Sequence, residues 1–287
     1  MQTFETLAGL RNALAVFRDH HQSIVLVPTM GNLHEGHLSL MQIARQRADR
    51  VVASIFVNPM QFDNPADFAA YGRTIEEDRR KLSASQVDVL FYPEVGEIYP
   101  HGTKRCTRVE VPGLSDILCG KFRPGHFVGV TTLVNKLFNI VQPEVAVFGE
   151  KDYQQLLLIR RMAADLCLPV EVVGAPTVRE IHGLAMSSRN NYLNPRERLQ
   201  AGALYRALCL ARDGIMAVEG GAPGDYSAIE QVATDALVAE GLRPDYFSIR
   251  RAVDLEAPGA DDRRLVILVA AWLGSARLID NLQITLK

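Results

Sequence analysis

Apolar runs alternate with stretches of helical period through the first part of the chain, the order expected of parallel strands joined by crossover helices. The 3.6-residue period predicts helices over residues 6–17, 38–48, 74–83, 130–141 and 153–166. Strands are predicted at 24–27, 51–57, 87–91, 145–148 and 170–173. The run 51–57 is almost unbroken Val, Ile, Ala and Phe, the pattern of a strand covered on both faces. Residues 1–176 are therefore expected to form an α/β domain with a Rossmann-like, doubly wound parallel sheet. The proline-rich stretch 92–125 breaks the rhythm and reads as an insertion beside that sheet.

After residue 176 the pattern changes. Two helical stretches, 195–218 and 226–240, flank a Gly-Gly-Ala-Pro-Gly turn at 220–224, and strands are predicted at 246–250, 265–273 and 278–286. Residues 177–287 are expected to make a smaller α+β domain.

Composition narrows the function classes. With 287 residues, 48% of them hydrophobic, a chain of this size buries about 75% of its unfolded surface. The 31 Lys and Arg against 33 Asp and Glu give a net charge of -2, without a general pull toward nucleic acid or an anionic membrane. Cys106, Cys119, Cys167 and Cys209 show no metal-knuckle or disulfide spacing, as expected of free thiols in a reducing compartment. No secretory leader is apparent, and the apolar run 265–273 is too short to span a bilayer, so a cytoplasmic protein is expected.

Chemistry concentrates where strands run into helices. Val-Pro-Thr-Met-Gly-Asn-Leu-His-Glu-Gly-His at 27–37 follows a predicted strand and opens a helix. That arrangement makes an anion site from unpaired N–H groups and the positive end of the helix dipole. Gly31 and Gly36 let backbone approach a ligand. His34 and His37, three residues apart, would share a face and donate to a polyphosphate. A zinc site would need a third ligand that neither the helix pattern nor the cysteines supply.

Phe-Gly-Glu-Lys-Asp-Tyr-Gln-Gln at 148–155 repeats the strand-to-helix design and places Lys151 as a point charge for phosphate, with Asp152 and Gln155 for polar substrate groups. Met-Ser-Ser-Arg-Asn at 186–190 offers two hydroxyls and a guanidinium, suited to completing a nucleotide site. Asn-Pro-Met-Gln-Phe at 58–62 presents Gln61, whose amide suits a hydroxylated substrate.

These segments, together with Arg-Pro-Gly-His-Phe at 123–127, resemble the pantoate–β-alanine ligases, the pantothenate synthetase family, over about residues 20–200. The 28–37 motif is similar to the HIGH signature of the nucleotidyltransferase superfamily, and 186–189 stands where that superfamily has its KMSKS loop. The resemblance implies ATP-dependent condensation of D-pantoate with β-alanine through a pantoyl adenylate, with release of pyrophosphate and AMP. It implies ATP contacts at Met30, Gly31, Asn32, Leu33, His34, Glu35, Gly36, His37, Gly149, Glu150, Lys151, Asp152, Val178, Met186, Ser187, Ser188 and Arg189. His37, His34, Lys151 and Arg189 would carry catalysis, Gln61 and Gln155 would hold pantoate, and Gln61 would also seat β-alanine. Arg123 and Tyr71 are further pocket candidates, and Asp78 is a candidate ligand for Mg2+ carried by the phosphates. A homodimer is implied. Asn32 stands where the family more usually has a small residue such as Ala. A related adenylyltransferase acting on a phosphorylated substrate would call for more cations, and a non-catalytic nucleotide-binding module would not need Lys151 and Arg189 together.

Overall fold

The computed structural model describes residues 1–62, 65–217 and 225–286. The chain divides into two compact units, one made of Met1–Glu150 with Gln155–Pro176, the other of Lys151–Gln154 with Thr177–Lys287.

In the first unit the elements follow as β1 (Gln2–Phe4), α1 (Leu7–Asp19), β2 (Ile24–Thr29), α2 (Glu35–Arg45), β3 (Arg50–Ile55), α3 (Pro65–Ala70), α4 (Ile75–Ala84), β4 (Val89–Phe91), α5 (Val95–Ile98), α6 (Cys119–Phe122), α7 (His126–Val141), β5 (Val145–Gly149), α8 (Tyr153–Asp165) and β6 (Glu171–Ala175). The first two residues of α8 group with the second unit. The six strands form a parallel sheet in the order β1-β4-β3-β2-β5-β6.

Burial on both faces explains the Val- and Ile-rich strands. Val25 and Val27 of β2 join Leu40, Met41 and Ala44 of α2 and Leu82 of α4 in one cluster, while Ile24 and Leu26, on the alternate face, are also fully buried. On β5, Phe148 meets Phe138 of α7 edge-on, 6.4 Å between ring centres. Each buried side chain of this size contributes about 1.5–3 kcal/mol.

From β2 the chain winds outward through β3 and β4, then returns to lay β5 on the other side of β2. The crevice outside the carboxyl ends of β2 and β5 is thus the topological switch point, where open α/β sheets bind ligands. Leu26 pairs with Ala146, so Thr29 and Gly149, each three residues further along, end at the same level.

The second unit contains α9 (Pro195–Gln200), α10 (Ala203–Met216), α11 (Ser227–Ala239) and the antiparallel strands β7 (Arg243–Arg251), β8 (Arg264–Leu273) and β9 (Ala276–Thr285), ordered β7-β8-β9. Its core joins Leu204, Leu208 and Ile215 of α10 and Leu237 of α11 with Ile267 and Val269 of β8 and Leu278 of β9. Residues 151–154, assigned from sequence to the sheet domain, cluster here because Tyr153 Oη donates to Ala252 O and Asn281 Nδ2 donates to Lys151 O.

Several expectations shift. The single helix expected over 195–218 is two, α9 and α10, joined at Ala201–Gly202, where the dihedrals stay helical and a Cβ on Gly202 would lie 2.6 Å from the His182 carbonyl oxygen. Val218 and the 220–224 turn fall outside the described residues. The second helix begins at Glu35 rather than residue 38, with His34 at its N-cap. The 92–125 insertion contains the short helices α5 and α6. Strand β1, three residues long, is too short to leave a period in sequence. Among the described residues no helix is long and apolar enough to cross a membrane.

Candidate active site

The turn after β2 is held from below. Gly31 adopts φ 77, and a Cβ there would lie 3.0 Å from both Asp78 Oδ2 and Ile55 Cγ2, so only glycine fits without a shift. Asn32 follows at φ 54, a left-handed conformation that asparagine tolerates better than most residues. Gly72 leaves room for the Asn32 side chain, since a Cβ there would lie 2.8 Å from its Nδ2.

The N–H groups of Asn32 and Leu33 donate to Asp78, each at 2.8 Å, and that of Gly31 to Thr29 Oγ1 at 3.2 Å. These groups, expected from sequence to be open to an anion, are taken by side chains. The N–H groups left for an anion are those of the first turn of α2, where Glu35 and Gly36 precede the helical ladder. Asp78 is 1% exposed and also accepts from Thr74 Oγ1 at 3.2 Å. Its lone pairs are thus turned onto the loop, and among the described residues no group of three or more His, Cys, Asp or Glu side chains could hold a metal ion. These residues offer no all-protein magnesium cage, and the Asp78 carboxylate is already engaged by the loop.

His34 caps α2 and His37 sits three residues on. Their rings lie 4.1 Å apart, centre to centre, at 39°, which is the shared face expected from the spacing. The His34 N–H points at His37 Nδ1 at 3.4 Å, and a neutral ring accepting there carries its proton on Nε2.

Beyond β3, Asn58 caps a tight turn over Pro59–Gln61 through Met60 N–H. Its Nδ2 donates to Gln61 Oε1 and to Gly129 O, both at 2.9 Å, and its Oδ1 accepts from Tyr99 Oη at 2.9 Å. The Gln61 carbonyl is gripped by Arg123 Nη2 at 2.9 Å and His126 Nδ1 at 2.8 Å. Arg123 Nη1 lies 3.1 Å from His126 Nε2, so a neutral ring with its proton on Nδ1 satisfies both contacts. Gln61 is 7% exposed, and with Oε1 engaged its Nε2 is the end directed by this network. Tyr71 is buried, its ring edge-on to Phe62 at 5.7 Å. Arg123 therefore works on the Gln61 backbone. Asn58 was read only as part of its motif, and Tyr99, inside the irregular insertion, left no sequence signal.

At the neighbouring strand, Gly149 ends β5, Glu150 follows, and Gln155 lies half-buried in the first turn of α8. The first unit thus brings the 30–37 turn and residues 149–150 to adjoining strand ends.

Lys151, Asp152, Val178 and residues 186–189 belong to the second unit. There Met186 N–H donates to Val178 O at 2.9 Å, and Arg179 bridges to Ala185, making a small hairpin that turns at Gly183, φ 91. Ser187 Oγ accepts from Arg189 N–H at 3.2 Å and caps the 3-10 turn Ser188–Tyr192. Lys151, Ser187, Arg189, Arg277 and Asp280 line one cleft. Lys151, 14% exposed, has its Nζ 3.6 Å from Asp152 Oδ2. Two segments 36 positions apart in the chain, at 151 and 187, are therefore neighbours, and three cationic side chains, Lys151, Arg189 and Arg277, line the same cleft.

A parallel sheet with a histidine-capped helix at its switch point, in a chain that also carries a cleft with lysine, serine and arginine, defines an α/β protein of the nucleotide-handling class. The sequence profile described as Pantoate-beta-alanine ligase matches residues 2–283, and the chain belongs to that family. The pantothenate synthetase of Thioalkalivibrio sulfidiphilus is 58% identical over 286 residues, covering 100% of this chain and 99% of the relative. That of Nitrosococcus oceani is 54% identical, with 100% and 99% covered. Among solved structures, pantothenate synthetase from Thermus thermophilus superposes with a TM-score of 0.89 at 47% identity, covering 98% of this chain and 99% of that one. Pantoate-beta-alanine ligase from Francisella tularensis, complexed with beta-gamma ATP and beta-alanine, superposes at 0.80 with 33% identity, covering 98% and 97%.

Proposed function

We propose that this chain joins D-pantoate to β-alanine at the expense of ATP, forming pantothenate, AMP and pyrophosphate by way of a pantoyl adenylate. The observation that carries this reading is the meeting of the His34–His37 turn and the Gly149–Glu150 strand end at the switch point of the sheet, in a member of the pantoate–β-alanine ligase family. ATP, taken as its magnesium complex, is a substrate.

In the first half-reaction a pantoate carboxylate oxygen bonds to the α-phosphorus as the bond to pyrophosphate breaks. Both reactants are anions, so the site must offset their repulsion and the charge gathering on the leaving group. His37 Nε2 and His34 donate to the triphosphate, with Glu35 and Gly36 N–H at the helix start. Lys151 and Arg189 supply positive charge, and Met30, Asp152, Val178, Met186, Ser187 and Ser188 complete the nucleotide contacts. Gln61, with its oxygen turned to Asn58, offers Nε2 to pantoate, as Gln155 offers its amide.

In the second half-reaction the β-alanine amine bonds to the acyl carbon, AMP leaves with the electron pair, and the amine releases a proton. Gln61 also seats the amino acid. No side-chain nucleophile is needed, and orientation of bound reactants supplies about 7–11 kcal/mol in well-placed systems. The four free cysteines and the family resemblance support a cytoplasmic homodimer.

Purified protein should release AMP and pyrophosphate only with pantoate present, and amide only once β-alanine is added. Pyrophosphate release with a phosphorylated acceptor instead would assign it to another adenylyltransferase activity. ATP binding without turnover would reduce it to a nucleotide-binding module.

A further inference from the structure

We infer that Asp280 and Asn281, adjacent on β9, are positioning residues that fix Lys151 and the Ser187–Arg189 segment against one strand and so set the geometry of the cationic cleft. This rests on the proposed assignment of Lys151 and Arg189 to ATP.

Side-chain alternation along β9 is odd at one position. Even-numbered residues of the strand, among them Ala276, Leu278, Leu282 and Ile284, pack into the apolar core of their unit. Asp280 belongs to that same set and is 4% exposed. A carboxylate there costs desolvation that a leucine would not, and stability alone favours an apolar residue. What the carboxylate does is accept two bonds from Arg179, Nη1 to Oδ2 at 2.5 Å and Nη2 to Oδ1 at 2.9 Å. The guanidinium also donates to Gly183 O at 3.1 Å and stacks 4.0 Å over the Tyr205 ring. Arg179 is thus pinned at the base of the hairpin whose far strand leads through Met186 to Ser187 and Arg189.

The next residue makes the second tether. Asn281 Nδ2 donates to Lys151 O at 2.9 Å, while its own N–H donates to Asp280 Oδ1 at 2.8 Å. Its carbonyl accepts from Arg179 Nη2 at 3.3 Å. One dipeptide on a regular strand therefore holds the backbone of Lys151 and, through Arg179, the hairpin that presents Arg189. Asp280 lines the same cleft as Lys151, Ser187 and Arg189.

The test separates positioning from stability by replacing the buried ion pair with an apolar one, R179M/D280L. Thermal midpoint, KM for ATP and KM for β-alanine are measured for this variant and for Asn281→Ala. The expected result is a thermal midpoint at or above wild type for the apolar pair, with KM for ATP raised about 10- to 100-fold and KM for β-alanine unchanged. Asn281→Ala should shift the same constant in the same direction, and it reads the second tether if the double variant fails to fold. Wild-type KM for ATP in a folded R179M/D280L protein, or in Asn281→Ala, overturns the inference. Lys151→Ala is the control: if it too leaves KM for ATP unchanged, the nucleotide assignment itself has failed, whereas a raised KM in Lys151→Ala alone condemns only the role given to β9.

Discussion

Asp78 Oδ1 accepts a 2.8 Å hydrogen bond from the Leu33 N–H across 45 residues of chain. Its other oxygen takes the Asn32 N–H, so a single buried carboxylate shapes the turn that leads into His34. Asp78→Asn keeps the volume but turns an NH2 group toward one of these donors. The variant should lose about 1–3 kcal/mol of stability in urea unfolding and bind ATP more weakly. Because the carboxylate serves the loop, raising magnesium should not restore KM for ATP. Full recovery at high magnesium would make Asp78 a metal ligand after all.

Gly129 lies under the Asn58–Gln61 turn so closely that a Cβ would fall 2.3 Å from Met60 O and 2.6 Å from Met60 C. Neither atom is the end of a flexible side chain, so Gly129→Ala must displace the turn or α7. Overpacking of this kind costs about 1–3 kcal/mol. Steady-state assays should show KM for pantoate and β-alanine rising more than KM for ATP, since the nucleotide is assigned to other segments. An equal rise in all three constants would mean that the damage is general.

Much of this arrangement was legible in sequence because it depends on local pattern. Val- and Ile-rich strands bounded by glycine turns gave the sheet, and the spacing of His34 and His37 gave their shared face. What sequence could not reveal was who satisfies whom across long separations. The turn N–H groups looked free because their acceptor, Asp78, is 45 residues away from Leu33. Tyr99, Arg179 and Asp280 carry no motif, and their contacts exist only once the chain is folded.

Tyr99 reaches Gln61 through Asn58. Burial pushes its hydroxyl well above the usual tyrosine range, so it remains a proton donor to Asn58 Oδ1. That bond holds the Asn58 amide with Nδ2 toward Gln61 Oε1. Tyr99→Phe deletes this donor and leaves the Asn58 amide held by Met60 N–H and Gly129 O, which loosens its grip on Gln61 Oε1. The loss of one bond is worth about 0.5–1.5 kcal/mol, or about 2- to 12-fold in KM for pantoate, with KM for ATP unmoved. An unchanged KM for pantoate would remove Tyr99 from this relay.

Glu180 offers a pH signature in the hairpin that leads to Arg189. Burial works to raise its carboxyl, but hydrogen bonds from Arg198 and Asn190 outweigh that and hold it below the usual glutamate value of 4.5. Well above pH 4.5 both the folded and unfolded carboxyls are ionised and the stabilisation is complete. As pH falls further the unfolded chain takes up a proton first, so the contribution shrinks and is gone below the folded pKa. Glu180→Gln should therefore melt below wild type at about pH 6, with the two melting temperatures converging as the pH falls below about 4.5. The check is calorimetry across that range, and a gap that stays constant with pH would show that the folded carboxyl titrates like an unfolded one.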